Sequence, residues 1–234
     1  DMVKVCRKHN VKLIINHTRR WDVSFRTVNE IINKGLLGKV SLVNAFSTVG
    51  LLNGGTHLFD LLRQYFGDAK LISGSIKQDQ STDPGGRGFI KFKKGTLCFI
   101  DSTYRDYVLF ESGIYGTKGM IRTGGMIRSE KAFELLIGKE SKKEKGIKEL
   151  EPVNYKTPAW TSPMINAVNN IVNSLENRGK IMCTGEDGKA SLEIALAFHE
   201  SDKKQGKGII LPLKNRKLRV IPRETSFTKS GKLK

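Results

Sequence analysis

Long apolar runs are missing from this 234-residue sequence: no stretch approaches the roughly 20 residues needed to cross a bilayer. The first residues do not read as a charged-then-apolar leader either, so no membrane partner is expected. Cysteine is scarce. Cys6, Cys98 and Cys183 are an odd number, far apart and without a CxxC pair. That argues against a disulfide framework and a zinc site, and favours a reducing cytoplasm. No His/Cys/Asp/Glu set shows ligand spacing such as HExxH, so no metal site is expected. A GxSxG elbow is absent, and the glycine-rich stretches GIYGTKG and TGEDG do not match a phosphate loop.

Positive charge, by contrast, is abundant. The net charge of +18 invites a nucleic-acid reading, but its distribution weakens it. Residues 203–234 hold eleven Lys or Arg against one Glu, which is ten of those eighteen charges. A basic tail on a mildly basic domain is usually a solvated tail, so nucleic acid is not the expected partner. The hydrophobic fraction of 38% fits a globular chain long enough to bury a core.

The opening residues read as the end of a helix, followed by VKLII (11–15) as a short buried strand. A helix followed at once by a buried strand is a parallel α/β unit. Residues 1–20 are therefore expected to close a domain whose earlier part precedes residue 1. An amphipathic helix at 24–34 carries Phe25, Val28, Ile31 and Ile32 at helical spacing and stops at Gly35. Strand signals follow at 40–49, and a helix with a broad apolar face at 56–66. From residue 70 to about 138 the period changes to two: GFIKF and TLCFI form an expected hairpin, and VLFESGIYG, MIRTGG, MIRS and AFELLIG continue the meander.

Residues 139–149 read as a charged loop. Helices return at 162–177 and 185–203, the latter with Leu192, Ala195, Leu196 and Phe198 as its buried stripe and Thr184 as its cap. IILPL is a final strand that Pro212 places at an edge, and a mobile basic tail is expected beyond Lys214. The fold class is α+β: an open, predominantly antiparallel β-sheet with helices on one face. It is preceded by the last helix and strand of a Rossmann-type domain (1–20), and the main domain runs over 21–213 with the tail at 214–234.

Four histidines leave few candidates for acid–base chemistry. His9 sits near a helix end among charges, and His199 lies in an apolar-rich helix. His57, in NGGTHLFDLL, follows a tight turn at Asn53, Gly54 and Gly55, with Thr56 as a helix N-cap. In the first helical turn the dipole disfavours the imidazolium, and Asp60, three residues on, is placed to orient the ring. The plainer alternative is a capped helix whose His and Asp are surface polar groups. His17, in NHTRRW, follows the first strand, where ligands sit in open α/β sheets. Arg19, Arg20 and Trp21 beside it suit a phosphate, a carboxylate or a sugar face, or are solvated and paired with nearby acids.

NHTRRW with GLLGKV, NGGTHLFDLLRQYFG, GIYGTKG, TGEDGKASLEIALAFHES and LPL, in that order, resemble the landmarks of the Gfo/Idh/MocA oxidoreductases. The resemblance implies a two-domain enzyme that transfers hydride between NAD or NADP and a carbinol carbon of a sugar or cyclitol. It implies a homodimer or homotetramer formed through the sheet. In the family, a Lys of a Glu-Lys-Pro loop and the signature His handle the hydroxyl proton, and His57 matches that His. Asn53 stands where many members have Asp, and an amide cannot take up a proton. GxGxxG and Glu-Lys-Pro are both absent here, so this chain alone is not expected to turn over.

The resemblance makes His57 and Asn53 the catalytic candidates. Asn16, Arg19 and Arg20 are cofactor candidates, and His17, Trp21, Asp60 and Trp160 are substrate candidates. Two other functions stay open: a non-catalytic binding or scaffold subunit of the same fold, and nucleic-acid binding through the tail.

Overall fold

Apolar residues at helical and alternating spacing sort the chain into five α-helices and nine strands in the computed structural model, which describes residues 1–77, 83–124, 133–215 and 218. In chain order these are α1 (Met2–Lys8), a 3-10 turn (Thr18–Trp21), α2 (Val23–Asn33) and β1 (Val40–Ser47). A π-helical turn (Leu51–Gly55) then runs into α3 (Thr56–Phe66), followed by β2 (Ala69–Ile76), β3 (Gly86–Phe92) and β4 (Leu97–Ser102). Next come β5 (Phe110–Gly116), β6 (Gly119–Thr123), β7 (Phe133–Glu140) and β8 (Lys148–Val153). Helices α4 (Pro163–Leu175) and α5 (Gly185–Lys203) and the short β9 (Ile209–Ile210) complete the set.

One sheet holds all nine strands in the order β8-β7-β6-β5-β1-β4-β3-β2-β9. Every neighbouring pair is antiparallel except β1 and β4. The exception follows from the chain path. After β1, α3 carries the chain to β2, and the meander β2–β3–β4 returns it alongside β1 in the same direction. The sheet is thus open and mostly antiparallel, as its alternating pattern predicts.

Burial alternates along the strands. Val43, Ala45, Cys98, Ile100 and Ile114 join a core with Leu58, Phe59 and Leu62 of α3 and Ile194, Ala195, Ala197 and Phe198 of α5. Phe59 and Phe198 stack with ring centroids 5.8 Å apart. A Cβ at Gly74 would sit 2.7 Å from the Phe198 ring, so β2 and α5 approach this closely only with glycine there. The alternate positions Phe46, Phe99, Tyr115 and Leu150 are exposed, leaving an apolar sheet face without helices.

Several expectations need correction. VKLII is not a buried strand. It is partly exposed, and its one ladder contact is an isolated bridge from Ile14 to Thr184. Leu13 and Ile15 lie against Gly185 and Gly188 of α5 instead, so a helix start, not a sheet, receives this segment. The charged stretch 139–149 is a loop over residues 141–147, as read, but its two ends are strand: β7 runs to Glu140 and β8 starts at Lys148. Their charges pair across the hairpin, Lys139 with Glu151 at 2.9 Å and Lys148 with Glu140 at 3.4 Å. Opposite charges facing each other across strands are compatible with pairing, which a reading of bare charge density misses.

The buried stripe of α5 centres on Ser191, Ile194, Ala195, Ala197 and Phe198, while Leu192 and Leu196 are only partly buried. The edge placement of IILPL holds, although only Ile209 and Ile210 pair. Just beyond Lys214 the chain still touches the core: Asn215 Nδ2 donates to Glu200 Oε1 at 2.9 Å, and Leu218 packs on the hydrophobic cluster. MIRS and the rest of the basic tail lie outside the described residues.

Candidate functional site

Where the chain leaves the bridge at Ile14, the 3-10 turn brings His17, Arg19, Arg20 and Trp21 up to α3 and the start of α5. Arg20 is the centre of this junction. Its Nε donates to Asp60 Oδ2 at 2.6 Å and its Nη2 to Asp60 Oδ1 at 2.8 Å, a two-point clamp. Nη2 also lies 3.0 Å from Asp187 Oδ1, and Nη1 donates to the Met182 carbonyl at 2.5 Å. Asp60 further accepts from Ser191 Oγ at 3.3 Å, and His17 Nδ1 stands 3.3 Å from the same oxygen. Burial would raise the Asp60 pKa, but hydrogen bonds from His17 and Arg20 outweigh it and hold the carboxyl down to about 2. Burial likewise opposes the charge on Arg20, and Asp60 reverses that and raises its pKa.

Asp187 belongs to the capping box of α5. The Thr184 side chain accepts from the Asp187 N–H, and the Asp187 carboxylate accepts from the Thr184 N–H. The helix start that the sequence marks as a cap therefore also anchors Arg20. Three potential metal ligands meet here: His17, Asp60 and Cys183 all lie within 4.8 Å of one another. They suit a cation poorly. Both Asp60 oxygens already face the Arg20 guanidinium, and burial followed by the nearby Asp60 carboxylate pushes the Cys183 thiol up to about 12.

His57 lies against this cluster without joining it. Its ring meets the His17 ring at a centroid distance of 4.9 Å, tilted by 59°. Its Nδ1 is buried and has no hydrogen-bond partner among the described residues. Burial, then the positive charge of Arg19, then His17 push its pKa down to about 4, against a weaker pull from Asp60. His57 is therefore neutral at physiological pH, and the cause is chiefly desolvation rather than a helix terminus. Asp60 orients His17, not His57.

The segment before His57 also departs from expectation. Leu51–Gly55 form a π-helical turn continuous with α3, so Thr56 is not an N-cap; its hydroxyl donates back to the Leu52 and Asn53 carbonyls at 2.8 and 2.9 Å. The glycines serve close packing. A Cβ at Gly54 would strike Val49 Cγ2 at 1.8 Å, and one at Gly55 would lie 3.2 Å from the Gly50 carbonyl oxygen. Asp83 secures the turn from outside: its carboxylate accepts from the N–H groups of Leu52 and Asn53, each at 2.8 Å. Single-turn π segments recur at functional sites.

Each remaining candidate has a definite place. Asn53 is exposed on the π turn, four residues before His57. Arg19 is half-buried with its guanidinium 3.7 Å from the centroid of the Phe110 ring, and burial lowers its pKa to about 10 against the pull of Asp22. Asn16 is exposed, its amide 4.0 Å from Met164 Sδ. Arg20 and Asp60 are consumed by their mutual clamp, which removes Arg20 as a cofactor ligand and Asp60 as a substrate contact. Trp21 is 1% exposed, packed with Ala167 and Cys183 and donating from Nε1 to Asn170 at 3.1 Å, so it presents no face to a sugar. Trp160 is 56% exposed, in the segment before α4. Sequence reasoning did not single out Asp83, Ser191, Cys183 or Phe110. Only Asp83 carried a local sign, in its Asp-Pro-Gly-Gly run.

The chain matches the family described as "Oxidoreductase family, C-terminal alpha/beta domain" over residues 32–209. No curated protein matches it. A solved structure from Desulfitobacterium hafniense, assigned as an NADPH-dependent oxidoreductase, superposes with a TM-score of 0.76 at 16% identity, covering 88% of this chain and 67% of that one. The WlbA dehydrogenase of Bordetella pertussis, solved with NADH and UDP-GlcNAcA, gives 0.71 at 19% identity over 91% of this chain and 68% of its own. A Sinorhizobium meliloti protein assigned as a myo-inositol dehydrogenase gives 0.67 at 18%, over 89% and 68%. These likenesses concern the fold. The family match covers most of the chain, and the chain belongs to the Gfo/Idh/MocA oxidoreductase family as its C-terminal α/β domain.

Proposed function

We propose that this chain is the substrate-binding and oligomerisation part of an NAD(P)-dependent oxidoreductase acting on a sugar or cyclitol, with His57 as the proton acceptor for the substrate hydroxyl. The observation that carries the proposal is His57 itself: neutral, desolvated and with a buried Nδ1 that has no partner among the described residues. A general base must be unprotonated and within reach of its proton, and the π turn brings this one to the end of α3. Asn53 on that turn would orient the same hydroxyl by hydrogen bonds. Arg20 and Asp60 hold His17, and His17 supports the His57 ring.

The described residues do not fit a dinucleotide. The Gly54–Gly55 pair is closed by Val49 and the Gly50 carbonyl, and Arg20 is committed to Asp60, so neither is open to a pyrophosphate. The cofactor site therefore belongs, in this proposal, to a nucleotide-binding domain that residues 1–20 close. Neighbours solved with NADH or assigned to NADPH support the cofactor class, and the UDP-GlcNAcA and myo-inositol names support the substrate class. The bare face around Phe46, Phe99 and Tyr115 supports a homo-oligomer built through the sheet. No described helix is long and apolar enough to cross a membrane, and the three cysteines are free.

Two experiments test this. Titration of the 234-residue chain with NADH and NADPH should show no change in nicotinamide fluorescence; tight binding would contradict the division of labour. In a chain joined to a family nucleotide-binding domain, His57→Gln should lower kcat by about 10²–10⁴, the usual worth of a general base. Turnover equal to the unsubstituted enzyme would remove His57 from the mechanism.

A further inference from the structure

Resting on the proposal that a nucleotide-binding domain completes this chain, we infer that the exposed apolar stripe of α4 is the surface on which that domain docks. Helix α4 differs from the other four. Over Pro163–Leu175 it carries no charged residue, in a chain that is 27% charged. It buries only Ala167 and Ser174, while Ile165, Val168, Val172 and Leu175 are 42–61% exposed. Their spacing of three, four and three residues puts them in one stripe along the helix. A helix that faces water carries charges on its outer side, whereas a continuous apolar stripe marks a surface that something covers.

The neighbours of α4 point to the occupant. At one end of the helix Lys12 Nζ donates to the Ser174 carbonyl and to its Oγ, the latter at 3.2 Å; at the other end the Asn16 amide lies 4.0 Å from Met164 Sδ. Residues 12–16 therefore run beside α4 in the opposite direction, and in the proposed function they belong to the segment that closes the nucleotide-binding domain. Just before them, α1 buries no residue, and Met2, Val5 and Val11 add further exposed apolar side chains. The solved relatives have the bulk to cover this surface. Those of Desulfitobacterium hafniense, Bordetella pertussis and Sinorhizobium meliloti match 88–91% of this chain with 67–68% of their own, so about a third of each has no counterpart here. A second copy of the chain has its own apolar surface to meet on, the bare sheet face around Phe46, Phe99 and Tyr115.

Docking at α4 also sets the cofactor relative to His57. The inner side of α4 is tied to the 3-10 turn: Asn166 Nδ2 donates to the Trp21 carbonyl at 3.0 Å, and Trp21 Nε1 donates to Asn170 Oδ1 at 3.1 Å. His17, whose ring meets that of His57, begins that turn. A domain seated on α4 is thereby held in a fixed relation to the site.

The test is thiol labelling of Val168→Cys in a Cys6→Ser background, where the remaining Cys98 and Cys183 are buried. The label should react rapidly in the 234-residue chain. It should react at least about tenfold more slowly in the chain joined to a family nucleotide-binding domain, where the thiol is reached only when the domains part. Equal rates in a joined chain that turns over overturn the inference and leave the proposed function standing. A joined chain without turnover removes the proposed function, and this surface falls with it. Labelling of the 234-residue chain that slows as its concentration rises overturns the inference in favour of a second copy. If Val168→Cys disturbs folding, the pair Val168→Lys and Val172→Lys decides. Turnover of the joined chain should then fall about tenfold or more, the cost of a misplaced cofactor, while the urea midpoint of the 234-residue chain stays unmoved. Unchanged turnover, or a midpoint that falls, overturns the inference.

Discussion

Two adjacent regions of this molecule treat buried polar groups in opposite ways. In the cluster around Arg20 the polar side chains are paired: Asp60 meets Arg20, His17 and Ser191, and Asp187 meets Arg20, Arg63 and the Thr184 cap. Beside it, His57 keeps a buried nitrogen with no partner among the described residues and gives up its charge. Satisfied networks fix structure, whereas an unpaired buried group costs stability and persists where it serves something else. The contrast sets a fully paired network beside a single unpaired histidine, and on the proposed function the first is scaffold and the second chemistry.

The largest break in that contrast is Arg20→Met. It leaves the Asp60 carboxylate buried without its main counter-charge and should lower unfolding stability by about 3–5 kcal/mol, measured in urea. A loss below about 1 kcal/mol would mean that the cluster is not the anchor described here.

The next lies in pH. Asp60 titrates in the folded chain near 2, below its unfolded value of about 4, so its stabilisation is complete above about pH 4 and is lost as pH falls toward 2. His57, also depressed, to about 4 from 6.5, gives stability that is complete above 6.5 and lost as pH falls from there through 4. Unfolding stability should thus decline in two windows, and His57→Gln should shrink only the upper one, to which His199, also depressed by burial, adds a share. An upper window of undiminished size in His57→Gln would assign it elsewhere.

Asp83→Ala removes two hydrogen-bond acceptors from the π turn and should cost about 1–2 kcal/mol. It should also move the His57 NMR signal, because the turn positions that ring; an unmoved signal would make Asp83 a local brace only.

The smallest effect on stability belongs to His57→Gln at pH 7. It should change unfolding by less than about 0.5 kcal/mol, since no hydrogen bond to Nδ1 is lost. A large loss would turn His57 from a chemical group into a structural one.

Much of this was legible in the sequence, and the reasons differ by region. Helices α2, α3 and α5 were readable because apolar spacing and the Thr184–Asp187 cap are local signals. The ends of β7 and β8 were not, because their evidence is the pairing of Lys139 with Glu151 and Lys148 with Glu140, visible only once the strands lie side by side. The π turn hid behind Asn-Gly-Gly, which signals a bend without saying that the glycines admit Val49 and the Gly50 carbonyl.

His57 stood out in the sequence through one short motif. The partner of Asp60 was misjudged because His57 is its neighbour in sequence, while His17, Arg20 and Ser191 arrive from three distant segments. Trp21 was offered as a sugar platform on residue type alone, and burial settled the matter against it.

The most direct test of the account is the pH titration of the His57 ring by NMR in the 234-residue chain. A midpoint near 4 is expected, marking a desolvated imidazole that stays neutral through the physiological range. A midpoint at or above the ordinary 6.5 would show a solvated or charge-stabilised His57, and would contradict its role as the neutral proton acceptor.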